Sequence, residues 1–128
     1  MFTINQESKT ISITRGDVAN IAVTSNYSDG SLYTFLKGDV VRFKVFKKKD
    51  CSSVVLTKIV NVSEETQSVI VRLDKTDTKI GEVINKPVDY WYEVELNPDT
   101  EPQTIIGYDD YGEKIFRLYP EGSDPIGE

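Results

Sequence analysis

Two glutamates, Glu93 and Glu95, have the spacing that comes closest to a catalytic arrangement in this chain. On a β-strand, their side chains would share one face and be separated by about 6.6–6.8 Å along the strand. Carboxyl groups roughly 6.5–9.5 Å apart can hydrolyse a glycosidic bond with inversion, provided that one of them has a raised pKa and acts as the acid. The sequence indicates no such shift. We therefore favour a solvent-facing polar strand and rank a carboxylate hydrolase last.

A second acidic group, Asp109, Asp110 and Glu113, surrounds Gly112. Clustered carboxylate and carbonyl oxygens are the ligands that Ca²⁺ prefers. The spacing differs from that of an EF-hand loop, however. The three acids are therefore a weak calcium candidate, and we assign no metal site.

The residues needed for other kinds of catalysis are missing from the sequence or isolated in it. The chain has no histidine, which is the usual general base near neutral pH and the commonest ligand of zinc, copper and non-haem iron. The single cysteine, Cys51, is interpreted as a small apolar residue at the start of a strand. The glycines are separate turn residues and form no phosphate-binding loop. We predict that the protein is not an enzyme and uses no cofactor.

Aromatic residues are concentrated in the carboxyl-terminal third, around the single tryptophan, Trp91. Together with Tyr90, Tyr108, Tyr111 and Tyr119, it forms our set of candidate interface residues. If an opposite sheet covers the face that carries Trp91, the ring belongs to the core. If that face is open, the ring could anchor a protein partner or stack on a sugar. We favour core or protein interface over carbohydrate.

The elements that would position these residues are β-strands, because apolar and polar residues alternate along most of the chain. The alternation is clearest where Val41, Phe43 and Val45 are separated by Arg42 and Lys44. The last two strands are expected to form a hairpin through a polar tip. The predicted strands cover residues 11–14, 18–24, 41–45, 54–60, 68–73, 90–96, 104–107 and 114–119.

Glycine-containing turns separate these strands, and the single helical candidate is one turn over Lys75–Ile80 with Asp74 as its N-cap. Short strands at regular spacing predict an all-β fold, an antiparallel immunoglobulin-like β-sandwich of seven or eight strands with at most one short helical turn. We assign residues 1–119 to this domain. Residues 120–128 are rich in proline, glycine and acidic side chains, and we interpret them as a tail.

The overall charge limits the classes of partner. A net charge of −6 argues against nucleic-acid binding, which needs a surplus of lysine and arginine. The one basic run, residues 47–49, is interpreted as a solvated turn. No segment approaches the roughly 20 apolar residues of a membrane span, and the amino terminus has no signal-peptide pattern. We therefore expect neither nucleic acid nor membrane as a partner.

Three segments carry a family resemblance: residues 11–17 (ISITRGD), 37–45 (KGDVVRFKV) and 90–96 (YWYEVEL). They resemble proteins of phages and prophages of Gram-positive bacteria, and the nearest named family is the immunoglobulin-like amino-terminal domain of phage baseplate upper proteins. The resemblance extends over most of residues 8–119 and carries no catalytic motif.

That resemblance implies a virion structural module, made in the cytoplasm of the bacterial host, that contacts other virion proteins of the tail, baseplate or fibre and usually forms an oligomer. Because no coiled coil or receptor-binding domain follows residue 128, a free-standing adaptor or capsid-decoration protein is also expected. The alternative function is a carbohydrate-binding β-sandwich that uses exposed aromatic side chains.

Overall fold

The protein is all-β, as the alternation of apolar and polar residues predicts. The computed structural model describes residues 2–5, 7–27, 29–50, 52–107, 109 and 112–121, and these contain nine strands and no helix. All eight predicted strands are present, with ends that shift by at most two residues. The strands are β1 (Phe2–Ile4), β2 (Ile11–Thr14), β3 (Ala19–Val23), β4 (Val40–Phe46), β5 (Val54–Asn61), β6 (Val69–Leu73), β7 (Val88–Leu96), β8 (Gln103–Ile106) and β9 (Lys114–Tyr119).

Seven strands form a large sheet in the order β1-β2-β9-β7-β4-β5, and β8 also pairs with β7. One side of β7 pairs with β4, while the other side pairs with β9 along its first half and with β8 along its second half. The strands β8 and β9 therefore lie end to end beside β7. The prediction that they form a hairpin with each other was wrong, because the nine-residue β7 is long enough to pair with both.

The first part of the chain differs from the predicted architecture in two ways. Phe2–Ile4 adds a ninth strand, which pairs antiparallel with β2. In addition, β2 pairs parallel with β9, so the large sheet is mixed and not antiparallel throughout. A hairpin forces antiparallel pairing because its turn is short. About 100 residues separate β2 from β9, so no turn sets their relative direction.

The strands β3 and β6 form a second, two-stranded antiparallel sheet. Buried side chains from both sheets belong to one hydrophobic cluster, as expected for sheets packed face to face. Phe43 lies at its centre, with its ring centroid 5.5 Å from that of Tyr92 and 6.4 Å from that of Phe116. Alternation with a period of two thus builds one apolar core between the sheets.

The predicted helical turn at Lys75–Ile80 is a hydrogen-bonded turn over residues 75–78 and not a helix. The Asp77 carboxylate accepts the backbone N–H of Asp74 at 2.8 Å, so the capping side chain belongs to Asp77 and not to Asp74. Lys58 on β5 also forms a salt bridge with Asp77, with 3.0 Å between Nζ and Oδ2. Of the predicted tail, residues 122–128 lie outside the described residues.

Candidate functional site

The large sheet has a second face, turned away from the core, which we call the outer face. Along β7, Tyr90, Tyr92, Val94 and Leu96 are buried in the core, and the residues between them point the other way. The cross-strand register places side chains of β4 and β9 on the same outer face. The face consists of residues 42, 44 and 46 of β4, residues 89, 91, 93 and 95 of β7, and residues 115, 117 and 119 of β9.

Three apolar residues cross the outer face in one row, which we call the apolar strip. Trp91 is the cross-strand partner of Phe46 on one side and of Ile115 on the other. Phe46 is only 3% exposed, although it does not belong to the core cluster between the sheets. Trp91 and Ile115 are half-buried. The single tryptophan therefore lies outside the core, at the centre of a small apolar surface.

Ion pairs border the apolar strip on both sides. On one side, the Arg117 guanidinium donates two hydrogen bonds to the Asp89 carboxylate, at 2.7 and 3.2 Å. On the other side, Arg42 pairs with Glu95 at 2.9 Å, and Lys44 lies 3.8 Å from the same carboxylate oxygen. Such half-exposed pairs contribute little to stability. They do leave the charges around the strip paired with each other.

The pKa of Glu93 is raised, first by burial and then by the nearby Glu95 carboxylate, against the opposing effects of Lys44 and Arg42. Nothing in the amino-acid sequence indicated this shift in pKa. A carboxyl group with a raised pKa can act as a general acid. Among the described residues, however, the groove beside Trp91 is lined by Glu93 and not by Glu95. The two acids therefore do not converge on that groove.

The groove beside the apolar strip has a volume of ≈ 590 Å³ and is lined by one acid of the calcium candidate, Glu113. Lys114 is 2% exposed, and its ammonium group donates to Asp109 Oδ1 at 2.6 Å and to the Gly112 carbonyl at 3.1 Å. The residues that line the groove are Lys49, Asp50, Trp91, Tyr92, Glu93, Gly107, Glu113 and Lys114.

The calcium candidate that lines the groove, Glu113, pairs with Lys49 at 3.2 Å. The structure thus places a lysine beside each of the two described acids, Asp109 and Glu113. Within the described ranges, no group of three or more histidine, cysteine, aspartate or glutamate side chains could hold a metal ion. Asp110 lies outside the described residues.

The tyrosines among the interface candidates are placed differently from one another. Tyr90 is buried in the core, and its hydroxyl lies 3.2 Å from the position that a Cβ on Gly81 would occupy. Tyr119 is half-buried at the end of β9, on the outer face. Tyr108 and Tyr111 lie outside the described residues, as does Cys51. Of the described candidates, the structure brings only Trp91 and Tyr119 to the outer face.

Sequence reasoning missed Phe46 and Ile115, which flank Trp91. Both lie in predicted or adjoining strand positions, but only the register between strands shows that they form a row with Trp91. Phe46 also carried a local signal, since it follows Val45 directly and so breaks the alternation of β4. An apolar residue at a position expected to be polar marks an apolar outer face.

Comparisons with family models, curated proteins and solved structures gave no match to this chain. The part of the chain that the structure describes contains no helical segment that could span a membrane. The function of the chain is therefore inferred from the outer face and from the sequence itself.

Proposed function

We propose that this chain is a non-enzymatic structural module of a phage particle that docks onto another virion protein through the apolar strip. The observation that carries this proposal is the half-buried Trp91 between Phe46 and Ile115, on the sheet face turned away from the core. Phe46 is only 3% exposed, so Trp91 and Ile115 are the two residues of the strip that still contact water. Binding of another protein would remove these two side chains from water.

The arrangement of residues on the outer face resembles that of a protein–protein interface, which supports the proposal. Such interfaces have an apolar centre, a polar rim and few anchor residues, among which tryptophan and arginine are enriched. Here the apolar strip is the centre, and the pairs Asp89–Arg117 and Arg42–Glu95 form the rim. Because these four rim charges are paired, a partner that covers the strip would not have to bury any of them as an isolated charge.

The same electrostatics favour contact over catalysis. Glu95 is held by Arg42 and Lys44, and Asp109 and Glu113 each pair with a lysine. Catalytic acids and bases need access to a common substrate position. Glu95, Asp109 and Glu113 instead each contact the arginine or lysine with which they pair.

The assignment to a phage particle and to the immunoglobulin-like class of sandwich is supported by the family resemblance. Two of the three resembling segments, residues 37–45 and 90–96, supply most of β4 and β7, and the second of them contains Trp91. The third segment, residues 11–17, contains β2, the strand that joins β1 to β9. A seven-stranded and a two-stranded sheet sharing one core are compatible with such a sandwich, in a version with one parallel pair.

The test is incorporation into particles. Particles should be purified after prophage induction from the bacterium that encodes the chain, and their proteins identified by mass spectrometry. We expect the wild-type chain in stoichiometric amount, and a Trp91→Ala variant at less than about a tenth of that level, since interface tryptophans are anchor residues worth 2 kcal/mol or more.

The matched control is Ile70→Ala, which truncates a half-exposed apolar side chain on β6 of the small sheet. It should be incorporated at the wild-type level. Absence of the wild-type chain from purified particles would refute the phage proposal. Equal incorporation of both variants would refute the assignment of the docking surface to the apolar strip.

A second candidate, carbohydrate binding, is favoured by one observation. The half-buried Trp91 lines a groove together with Glu93 and Lys114, and an aromatic ring beside polar groups suits a sugar. Because Trp91 is the only tryptophan, its fluorescence reports directly on that groove. Saturable quenching by a glycan would support this candidate, and an unchanged emission across a panel of glycans would eliminate it.

A further inference from the structure

The strand β5 is an edge strand of the large sheet, at the opposite end of the strand order from β1. It pairs with β4 on one side, and its eight residues make it the second longest of the described strands. In the described part of the chain, the backbone of residues 54–61 makes no hydrogen bond outside the pairing with β4. Alternate N–H and C=O groups along this edge therefore point away from the sheet, where another strand can pair with them.

The side chains of β5 leave apolar surface exposed along this edge. Val54, Val55 and Ile59 are all among the exposed large apolar residues, and Ile59, at 58%, is the most exposed of them. No proline or glycine interrupts residues 54–61. The one charged residue, Lys58, belongs to the inward-facing set and pairs with Asp77. An inward-pointing charge and a bulge are two of the devices that guard natural edges, but the charge of Lys58 is paired within the chain and the bulge lies at one end of β5.

A bulge at Val55 limits where a second strand can pair with β5. The register of β4 and β5 shifts at Val55, so the regular part of the edge extends from residue 56 to residue 61. An antiparallel partner strand would follow this regular part, because a bulge bends and twists the strand that carries it.

We propose that two copies of this chain pair through β5, antiparallel, about a two-fold axis at Ile59. In this register Ile59 meets Ile59 of the second copy, and Thr57 meets Asn61. The ladder then spans residues 57–61 and avoids the bulge. A two-fold axis at Lys58 would place like charges directly opposite each other, which is destabilising. On the inward side, the chosen axis places Lys58 opposite Val60 instead.

The second copy is the occupant favoured by this strand because the strand is complementary to itself. Its most exposed apolar residue lies on the axis, flanked on the same side by polar residues, Thr57 and Asn61. When β5 of one copy pairs with β5 of the other, neither copy keeps a free β5 edge, so the assembly closes as a dimer. Pairing with a different edge, such as that of β1, would leave edges free and build open chains.

This inference does not depend on the proposed function, but it has a consequence for it. The two-fold axis is perpendicular to the joined sheet, so both outer faces point in the same direction. Five strand spacings separate the two copies of β7, which is about 24 Å. Two apolar strips side by side would give the dimer a bivalent docking surface, which strengthens attachment without any new contact.

The test is the molar mass in solution, measured by sedimentation equilibrium at protein concentrations from about 1 to 200 µM, the range suited to a small interface. The wild-type chain should reach twice its monomer mass of 14.5 kDa. Ile59→Lys should raise the dimer dissociation constant by at least about 100-fold, because each dimer loses two buried isoleucines. The control, Ile70→Lys, makes the same change at a site 50% exposed on the other sheet and should dimerise like wild type.

The register is tested by oxidation of single-cysteine variants in which Cys51 is replaced by serine. Ile59→Cys should form an intermolecular disulfide, since residues facing each other across a two-fold axis lie within disulfide range. Ile70→Cys should not. A monomer at 200 µM, equal dimerisation of both lysine variants, open-ended assemblies, or efficient cross-linking at residue 70 but not at 59 would each overturn the proposal.

Discussion

Replacing Asp39 with alanine should destabilise the protein, because one carboxylate joins three parts of the chain. It accepts hydrogen bonds from the Tyr33 hydroxyl at 2.7 Å, from the Leu36 N–H at 2.9 Å and from the Asn97 side-chain amide at 3.1 Å. The Asn97 amide oxygen in turn accepts the N–H of Val40 at 2.8 Å, where β4 begins. Asp39 therefore ties the preceding loop to β4 and to the turn between β7 and β8.

The expected loss is about 2–3 kcal/mol in the free energy of unfolding. A hydrogen bond to a charged group contributes about 1.5–3 kcal/mol, but Asp39 is half-buried, so water replaces part of what three bonds would give. Partial burial raises the pKa of Asp39, and the bonds from Leu36, Tyr33 and Asn97 lower it by more, so that the net pKa is lowered. Its stabilising effect is thus present above the pKa of an unfolded aspartate, about 3.9, and is lost as the pH falls through the lower folded-state value.

The assay is urea unfolding followed by Trp91 fluorescence, at pH 7 and at pH 3. The control is Asp29→Ala, which removes another aspartate that accepts two hydrogen bonds from Ser31 but is exposed, and which should leave the midpoint unchanged. The difference between wild type and Asp39→Ala should be smaller at pH 3 than at pH 7. A difference under about 0.5 kcal/mol at pH 7, or one that does not shrink on acidification, would refute this reasoning.

Two further predictions concern the core and the outer face. Phe43→Ala should lower the unfolding free energy by about 3–5 kcal/mol in the same assay, because Phe43 is fully buried against Tyr92 and Phe116; a loss no larger than that of Ile70→Ala would contradict its central position. Glu93→Gln should raise the melting temperature at pH 7, because burial and Glu95 raise the pKa of Glu93 and so disfavour its charged form in the folded protein. The gain should vanish once the pH lies below about 4, where the unfolded glutamate is protonated as well; a Glu93→Gln variant less stable than wild type at pH 7 would contradict it.

Local pattern predicted the strands well because burial on one face imposes a period of two on each strand independently. The sequence predicts Ile11–Thr14 and Lys114–Tyr119 with their observed bounds. It missed Phe2–Ile4, a three-residue strand too short to show a clear period. It also took Lys75–Ile80 for a helical turn, where the Asp77 side chain instead closes a tight turn on Asp74.

Pairing between distant strands could not be predicted in the same way. The parallel alignment of β2 with β9 depends on contacts between residues about 100 positions apart, which leave no mark on either strand alone. The apolar strip has the same origin, because Phe46, Trp91 and Ile115 become neighbours only through the register of three strands. The sequence identified Trp91 as a candidate, whereas its position outside the core required the structure.

The most direct test of the outer face as a docking surface is photo-crosslinking inside assembling particles. A benzophenone amino acid would replace Trp91 in one variant and the half-exposed Ile70 of the small sheet in the other. Illumination of induced cells should join the chain to another virion protein from position 91 and give no adduct from position 70. Adducts from position 70 alone, or none from position 91 in particles that contain the chain, would contradict the account.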